Sequence, residues 1–299
     1  MDNLSNIISD CIIISCIGGI YTVKCGDKTY KCNAKGTFRN LKIKPVAGDY
    51  CKLRIVSEER NDVYITEIKE RKSILKRPDV ANLDTIFITF SPVSPLVETY
   101  NIDKQIFSSL KNGVKPVLVI TKCDLDKEKS LELYNLYSKH FKAFMTSSYN
   151  SSGIEELKKY IESETQICAF SGASGVGKSS LINSLFPDFE IKTDELSIKI
   201  QRGKNTTRET TLYEISPSHF ICDTPGFTSF IVKYEEKNDS DFLNLTYPEI
   251  TKVKNDCLWR NCTHTKETGC AVLQGIENGD ISRKRYENFL KIRENYDEN

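Results

Sequence analysis

Short runs of β-branched and aromatic residues, separated by glycines and charged turns, fill the first quarter of the chain. Five such runs lie between residues 11 and 72: Ile12–Ile17, Ile20–Lys24, Thr29–Cys32, Asp49–Val56 and Val63–Ile68. Runs of this length and composition are typical of β-strands. Five short strands in about 60 residues predict a small barrel, either of the oligonucleotide-binding (OB) type or, as the alternative, SH3-like.

The pattern changes from about Ser73 onward, where apolar runs alternate with amphipathic segments. The apolar runs are Thr85–Phe90, Val117–Ile120, Phe141–Met145, Ile167–Phe170 and Phe220–Cys222. Two amphipathic segments carry apolar residues at helical spacing: Ile102, Ile106 and Leu110 before Gly113, and Ile154, Leu157 and Ile161. Strands that alternate with helices predict an α/β fold with a mainly parallel sheet covered on both faces.

After Phe230 the chain becomes polar, then cysteine-rich, and then basic. The basic segment has a helical pattern, with Tyr286, Phe289 and Leu290 on its apolar side and Arg283, Lys284, Arg285, Lys291 and Arg293 around it. We therefore predict three domains: a barrel over residues 1–72, an α/β domain over residues 73–230, and a small C-terminal domain over residues 231–299.

The overall charge of +1 hides a basic N-terminal part. Residues 1–76 contain 14 Lys and Arg against 9 Asp and Glu, which is a local excess of +5. The loop Lys35–Lys44 interleaves four basic residues with Phe38, as a loop that faces nucleic acid would. The excess suits an anionic partner, although a solvated surface would also account for it.

Cysteine usage and hydropathy indicate a cytoplasmic protein. The N-terminus lacks a basic region followed by a long apolar stretch, so we expect no secretory signal. No apolar run approaches the ~18 residues needed to cross a bilayer, so we expect no membrane partner. Of 11 cysteines, eight are scattered singly, and those in strand-like runs, such as Cys51, Cys168 and Cys222, are expected to be reduced core thiols.

The segment Gly172-Ala-Ser-Gly-Val-Gly-Lys-Ser179 matches the phosphate-binding pattern G-x-x-x-x-G-K-[ST] between a predicted strand and a predicted helix. Glycines allow backbone N–H groups to surround phosphates, and the start of the helix adds positive potential. Lys178 would reach the β- and γ-phosphates, and the Ser179 hydroxyl would bind Mg²⁺. The predicted nucleotide-contacting residues here are Gly172, Ala173, Ser174, Gly175, Val176, Gly177, Lys178, Ser179 and Ser180.

Thr121-Lys-Cys-Asp124 follows the predicted strand Pro116–Ile120 and matches the guanine-reading pattern [NT]-K-x-D. The Asp124 carboxylate would accept hydrogen bonds from guanine N1–H and the 2-amino group, which adenine cannot offer in that arrangement. Ser147-Ser148 occupies the position of a backbone contact to guanine O6. The predicted base-contacting residues are Thr121, Lys122, Cys123, Asp124, Ser147 and Ser148.

Asp223-Thr-Pro-Gly226 matches D-x-x-G, in which the Asp holds Mg²⁺ through water and the Gly N–H contacts the γ-phosphate. The polar segment 203–208 before it is suited to a switch, with Thr207, or alternatively Thr206, as a further Mg²⁺ ligand. The guanine pattern precedes the phosphate loop by about 50 residues, whereas Ras-like GTPases have the opposite order. A circularly permuted domain could still form the same sheet and site.

Cys257-x4-Cys262-x-His264-x5-Cys270 has the composition of a structural zinc site. Three thiolates and one imidazole complete a tetrahedral Zn²⁺ shell and leave no open position for chemistry. We therefore predict one structural zinc ion bound by Cys257, Cys262, His264 and Cys270.

With these motifs in this order, the chain resembles the ribosome small subunit-dependent GTPase A family of circularly permuted bacterial GTPases. The likeness covers nearly the whole chain and includes Ala81-Asn-Leu-Asp84 and Arg283-x-x-Tyr286. It implies an OB-type barrel, a GTPase that uses GTP/GDP and Mg²⁺ and is stimulated by the small ribosomal subunit, and a role in late maturation of that subunit with contacts to ribosomal RNA. We expect a monomer.

One position departs from the pattern of related GTPases. Ras-like GTPases place a Gln after D-x-x-G to orient the attacking water, but Phe227 stands here. The resemblance implies a His immediately before the switch threonines for this task, and this chain has Asn205 there. Asn can hydrogen-bond a water but cannot act as a titrating base. The predicted catalytic residues are Asn205, Lys178 and Thr207, with Asn205 or a ribosomal group positioning the water.

Two other functions remain open from the sequence. An RNA-binding assembly checkpoint would use GTP mainly as a conformational lock, with little hydrolysis. An ATP-dependent kinase would require that Asp124 plays no part in base recognition.

Overall fold

The computed structural model describes residues 7–34, 36, 38, 43–57, 62–76, 79–187, 210–223 and 240–297. The chain packs into two compact units, each built from several separate stretches of sequence. The first unit comprises Met1–Ile86, Glu156–Phe170 and Ile182–Thr228. The second comprises Phe87–Glu155, Ser171–Leu181 and Ser229–Asn299.

Five strands of the first unit form the predicted barrel: β1 (Ile7–Ile17), β2 (Ile20–Cys25), β3 (Lys28–Ala34), β4 (Tyr50–Ser57) and β5 (Asp62–Ile68). Antiparallel pairs join β1 to β2, β2 to β3 and β4 to β5, while β3 and β5 run parallel. β1 also pairs with β4, which closes the barrel in the order 1-2-3-5-4. This closed five-stranded arrangement confirms the OB type.

Phe38 corrects one expectation about the barrel. Its side chain is 5% exposed and belongs to the barrel core together with Val23, Leu53 and Ile65. An aromatic ring that is buried among aliphatic side chains cannot stack on a nucleic acid base. Phe38 therefore anchors its loop to the barrel core and is not part of a nucleic acid-binding surface.

The cysteine expectation is wrong for one pair. Cys11 and Cys25 lie opposite each other on β1 and β2 and form a disulfide. Cys51, Cys168 and Cys222 are free and buried, as expected. A bridge that closes a loop of about 15 residues stabilises a fold by ~3 kcal/mol, mainly by restricting the unfolded chain. The sequence did not predict this disulfide, because Cys11 and Cys25 are 14 positions apart and come together only when β1 and β2 pair.

Three further strands of the first unit lie outside the barrel: β11 (Ile167–Ser171), β12 (Thr211–Ser216) and β13 (His219–Asp223). β11 and β13 run parallel, and β12 pairs antiparallel with β13 and, at Thr211, with Ser15 of β1. A two-stranded ribbon, β6 (Ile74–Lys76) with β7 (Asp79–Ala81), completes the described strands of this unit.

The second unit contains the strands β8 (Thr85–Phe90, of which the first two residues belong to the first unit), β9 (Lys115–Ile120) and β10 (Ala143–Met145). All six residues of β8 are buried, and β10 runs parallel to β9. Four helices alternate with the strands of the two units. Helices α1 (Thr99–Lys111) and α2 (Lys127–Tyr137) belong to the second unit, most of α3 (Ile154–Glu164) belongs to the first, and α4 (Lys178–Leu185) is divided between the units after Leu181. Parallel strand pairs alternating with helices confirm the predicted α/β class.

The C-terminal residues of the second unit are helical: α5 (Ser240–Thr246), α6 (Pro248–Val253), a 3₁₀ turn at Lys254–Asp256, α7 (Ala271–Glu277) and α8 (Arg283–Asp297). Their core includes Tyr247, Ile250, Val272, Phe289 and Ile292. No helix in the described part of the chain is both long and apolar enough to cross a membrane.

Arg285 corrects the prediction for α8. The sequence pattern places it among the solvated basic residues of the helix, but it is 1% exposed and is the largest fully buried side chain among the described residues. Arg283 and Lys284, its neighbours, are exposed as expected. The reason is that Arg285 has two buried carboxylate partners, which no periodicity in its own helix could indicate.

Candidate functional site

The phosphate-binding loop connects the end of β11 to the start of α4 at Lys178. Gly172, Gly175 and Gly177 have φ values of 138°, 80° and 101°, which side-chain-bearing residues rarely adopt. A Cβ atom on Gly172 would also overlap the carbonyl oxygen of Thr89 in β8. The loop therefore packs its first glycine directly on a neighbouring strand, and it requires glycine there for both conformation and space.

Lys178 directly follows Gly177 and is the first residue of α4. Its ammonium group donates hydrogen bonds to the carbonyl oxygens of Gly172 at 2.6 Å and Ala173 at 2.9 Å. Partial burial lowers the pKa of the Lys178 ammonium. The loop thus holds a cation by its own carbonyls, and phosphate oxygens could replace these acceptors.

The predicted guanine-reading segment lies beside the phosphate loop. Thr121 Oγ1 donates a hydrogen bond to the Val176 carbonyl oxygen at 2.5 Å, and Lys122 Nζ donates to the Gly175 carbonyl oxygen at 2.7 Å. Lys122 Nζ also donates to the Ser94 carbonyl oxygen at 3.0 Å. Residues separated by more than 50 positions in the sequence are therefore adjacent, as a shared nucleotide site requires.

The segment that contains Ser147 and Ser148 adjoins the guanine-reading segment. Cys123 N–H donates to the Thr146 carbonyl oxygen at 3.2 Å, which connects the two loops. Ser147 is buried, and its N–H already donates to the Ser152 carbonyl oxygen at 3.0 Å. Ser148 is exposed, and Asp124 is half-buried.

Only part of the predicted Mg²⁺ and catalytic set lies within the described residues. Asn205, Thr206, Thr207 and Gly226 lie outside the described residues. Asp223 is the last residue of β13, where its backbone pairs with Thr211. Ser179, the predicted Mg²⁺ ligand that follows Lys178, is exposed in the first turn of α4.

The four predicted zinc ligands come together in the C-terminal part of the second unit. The potential ligand atoms of Cys257, Cys262, His264 and Cys270 all lie within 4.8 Å of one another. The distance between Cys257 Sγ and Cys270 Sγ is 3.9 Å, and those from His264 Nδ1 to these two sulfurs are 3.5 and 3.6 Å. A tetrahedral Zn²⁺ shell places its ligand atoms roughly 3.5–3.8 Å apart, so this donor set fits zinc.

Residues outside the motif hold the segment 257–270, which we call the cysteine loop, in place. The Tyr286 hydroxyl of α8 donates to the His264 carbonyl oxygen at 2.6 Å, and Arg293 Nη1 donates to the Thr263 carbonyl oxygen at 2.7 Å. Within the loop, the Glu267 carboxylate accepts from the backbone N–H groups of Thr263 and Thr265. The sequence indicated none of these supports, because Tyr286 entered only as part of the Arg283-x-x-Tyr286 likeness and on the apolar side of its helix.

Comparison with known protein families agrees with this geometry. The family model described as RsgA GTPase matches residues 68–233, and the model described as RsgA N-terminal domain matches residues 11–65.

Curated relatives and solved structures align over nearly the full chain. The small ribosomal subunit biogenesis GTPase RsgA of Bacillus velezensis is 38% identical, and that of Bacillus subtilis is 34% identical; each match covers 94% of this chain and 95% of the relative. The crystal structure of YjeQ from Thermotoga maritima matches with a TM-score of 0.78 at 30% identity, covering 96% of this chain and 98% of that one. The crystal structure of YloQ, a circularly permuted GTPase, matches with a TM-score of 0.73 at 28% identity, over 100% and 98% of the two chains.

Proposed function

The chain belongs to the RsgA GTPase family and is a GTP-hydrolysing enzyme, and we propose that the small ribosomal subunit stimulates its hydrolysis during late maturation of that subunit. The observation that carries the proposal is the pair of hydrogen bonds from Thr121 and Lys122 to the phosphate loop. These bonds support the proposal because they join the predicted guanine-reading segment to the predicted phosphate-binding loop. The names of the curated relatives supply the ribosomal part of the proposal.

Asp124 and Ser148 would select guanine. The Asp124 carboxylate accepts from guanine N1–H and the 2-amino group, and a base without this donor pair would leave the carboxylate unpaired. Because the N–H of Ser147 is occupied by Ser152, the backbone contact to guanine O6 belongs to Ser148. Of the two serines that the sequence suggests, the proposal therefore uses Ser148.

Lys178, Ser179, Thr207, Asp223 and Gly226 would act at the phosphates. Lys178 turns from the loop carbonyls to the β- and γ-phosphate oxygens, and Ser179 and Thr207 hold Mg²⁺, with Thr206 as the alternative to Thr207. When bound, Mg²⁺ offsets the negative charge that the phosphates carry in the transition state.

Asn205 would position the attacking water. Its amide can accept one hydrogen bond and donate two, so it can orient a water molecule without removing a proton. Phe227 cannot perform this task because its side chain has no polar atom. Hydrolysis then depends on electrostatic stabilisation by the phosphate loop and Mg²⁺, with Asn205 or a ribosomal group fixing the direction of attack.

The barrel would dock on ribosomal RNA. Its OB type and the local excess of +5 over residues 1–76 both suit a polyanionic partner. The second unit would add the cysteine loop, in which one structural Zn²⁺ is bound by three thiolates and one imidazole. The cytoplasm is the expected compartment, because ribosomal subunits mature there.

Single-turnover hydrolysis of GTP, measured with and without small ribosomal subunits, tests this function. We expect a rate increase of several orders of magnitude with small subunits and none with large subunits. Asn205→Ala should reduce the stimulated rate, and Asn205→His should restore or exceed it. Tight GTP-dependent binding to the subunit without any rate increase would instead support the checkpoint function.

A further inference from the structure

A buried charged cluster joins three helices of the second unit. Its centre is Arg285 of α8, whose Nη1 donates to Asp103 Oδ1 at 2.6 Å and whose Nε donates to Glu249 Oε1 at 2.8 Å. Nη2 of Arg285 donates to the Thr246 carbonyl oxygen at 2.6 Å. Asp103 belongs to α1 and Glu249 to α6, so one guanidinium connects the C-terminal helices to α1.

The second oxygen of Asp103 is also bound. Asn288, one turn after Arg285, donates from Nδ2 to Asp103 Oδ2 at 2.8 Å and to Thr99 Oγ1 at 3.1 Å. The Tyr247 hydroxyl donates to the same Asp103 oxygen at 3.2 Å. We call Arg285, Asn288, Asp103 and Glu249 the Arg285 clamp.

The hydrogen bonds of the clamp indicate that it fixes the position of α8 relative to α1. Burial acts to lower the pKa of Arg285, but Asp103 and Glu249 outweigh burial and raise that pKa above its ordinary value. Well-packed apolar side chains would stabilise such a contact equally well, because buried ions must lose their hydration. Apolar contacts can slide, whereas several directional hydrogen bonds between fixed partners define one position of α8 on α1.

An adjacent face of α8, about 100° around the helix from Arg285, contacts the cysteine loop. Tyr286 donates to the His264 carbonyl oxygen and Arg293 to the Thr263 carbonyl oxygen. The ring of Phe289 packs edge-on against Tyr247, with 5.4 Å between the ring centroids. The cysteine loop and α1 are therefore both hydrogen-bonded to α8.

Helix α1 also contacts the start of the phosphate loop. Ser171, fully buried and directly before Gly172, donates from Oγ to Gln105 Oε1 at 2.7 Å. Gln105 follows Asp103 by two positions, and residues so spaced on a helix point in nearly opposite directions. The helix is thus held by the clamp on one side and by the end of β11 on the other.

We propose that Arg285 is the positioning residue through which contact of the subunit with the cysteine loop is transmitted to the phosphate loop. This inference rests on the proposed stimulation by the small subunit and extends it to a route: cysteine loop, α8, Arg285, α1, Ser171. Each step is a contact between residues of the second unit. Hydrolysis without the subunit does not use this route, because Arg285 contacts neither the phosphate loop nor the guanine-reading segment in the described residues.

Single-turnover GTP hydrolysis by Arg285→Lys and Arg285→Met, with and without saturating small subunits, tests the route. Lysine keeps the charge but cannot bond two carboxylates and a carbonyl oxygen in a planar fork. We expect unstimulated rates and GTP affinities within about twofold of wild type and a stimulated rate reduced about tenfold or more, most in Arg285→Met. The matched control, Arg283→Met, removes an exposed arginine from the same helix and should leave both rates unchanged.

Asn288→Ala extends the test to a variant that leaves no buried charge unpaired. Thermal unfolding and bound zinc are measured for every variant, and Asn288→Ala decides the outcome if the Arg285 variants do not fold. Full stimulation of a folded Asn288→Ala and Arg285→Lys would overturn the route, and so would an equal loss of stimulated and unstimulated rates. Absence of stimulation in the wild-type protein would overturn the proposed function itself, and the route with it.

Discussion

The proposed selection of guanine depends on the Asp124 carboxylate, so replacing that carboxylate by an amide tests it. Asp124→Asn replaces an acceptor by a donor opposite the guanine 2-amino group. We expect GTP affinity to fall by about 100-fold or more, because the amide can accept only one of the two hydrogen bonds that guanine donates there. Xanthosine triphosphate, which has an oxygen at position 2, should bind the variant better than GTP does. Titration calorimetry with both nucleotides measures this exchange.

Asp126→Asn is the matched control for that prediction. Asp126 lies two residues away and caps α2 by accepting from Lys129 N–H. Asn caps helices about as well as Asp, so nucleotide preference and stability should both stay unchanged. Equal affinities of wild type and Asp124→Asn for GTP would contradict the assignment of Asp124 to the base.

Gly172 tests the contact between the phosphate loop and β8. In Gly172→Ala the new methyl group would overlap the Thr89 carbonyl oxygen while the backbone keeps a φ near 138°. We expect a loss of about 1–3 kcal/mol in unfolding free energy, together with a marked loss of nucleotide affinity. Chemical denaturation and nucleotide titration measure the two effects.

The control for Gly172→Ala is Gly113→Ala. Gly113 also has positive φ, at 69°, but nothing lies within 4 Å of an added Cβ there. This variant should lose stability without losing nucleotide affinity. Unchanged nucleotide binding by Gly172→Ala would show that the close approach to Thr89 does not shape the loop.

At the scale of residues, the sequence predicted side chains whose chemistry is specific to a motif. The phosphate-loop residues and the four possible zinc ligands were found in this way, and the structure brings each set together. Thr89 and Ser94 could not be predicted, because they act through backbone carbonyl oxygens that every residue type has. Arg285 was misplaced because its partner Asp103 is 182 positions away.

Among the elements, the cysteine loop is the one whose fold should depend on a metal. We expect Cys270→Ser to lose the bound zinc and to unfold the loop and the start of α7, since metal binding and folding are coupled in such sites. GTP affinity should remain within a few-fold of wild type. Metal analysis, circular dichroism and nucleotide titration measure these outcomes.

Cys16→Ser serves as the control for the zinc prediction, because Cys16 is a half-buried free thiol in β1. It should retain zinc and stability. A large loss of GTP affinity in Cys270→Ser would mean that the nucleotide site itself requires the metal-bound loop.

The sequence predicted the strands that have continuous apolar runs. For β8 the predicted and observed bounds are the same, Thr85–Phe90. β12 was missed because Leu212 is its only fully buried residue, which leaves no run to detect. β1 begins at Ile7, five residues earlier than predicted, because Ser9 and Asp10 interrupt its apolar pattern. Asp10 has a φ of 61°, and the pairing register with β4 shifts between Ile8 and Cys11.

At the scale of the whole molecule, electrostatics should govern docking on the subunit. Each phosphate neutralised by a Lys or Arg of the barrel releases a bound counterion, so affinity should fall steeply with salt. For three to five such contacts we expect a loss on the order of 10²-fold between 50 and 200 mM salt. Sedimentation of the protein with small subunits over a salt series measures the slope. A flat response would exclude the barrel as the docking surface.

The order of the motifs predicted the circular permutation, and the similarity to YloQ over the whole chain confirms it. The domain boundaries at residues 72 and 230 stay predictions. No local pattern could reveal that residues 240–297 belong to the same compact unit as α1 and the phosphate loop. That association depends on contacts between distant residues, among them the ion pair of Arg285 with Asp103.

The position of Arg285 in the chain has a consequence for biosynthesis. Asp103 precedes Arg285 by 182 positions and Glu249 precedes it by 36, so both carboxylates leave the translating ribosome before Arg285 does and lack its guanidinium until then. A nascent or truncated chain that ends before α8 therefore cannot complete the unit that carries the phosphate loop. Only a chain translated through residue 285 can form all the hydrogen bonds of the Arg285 clamp.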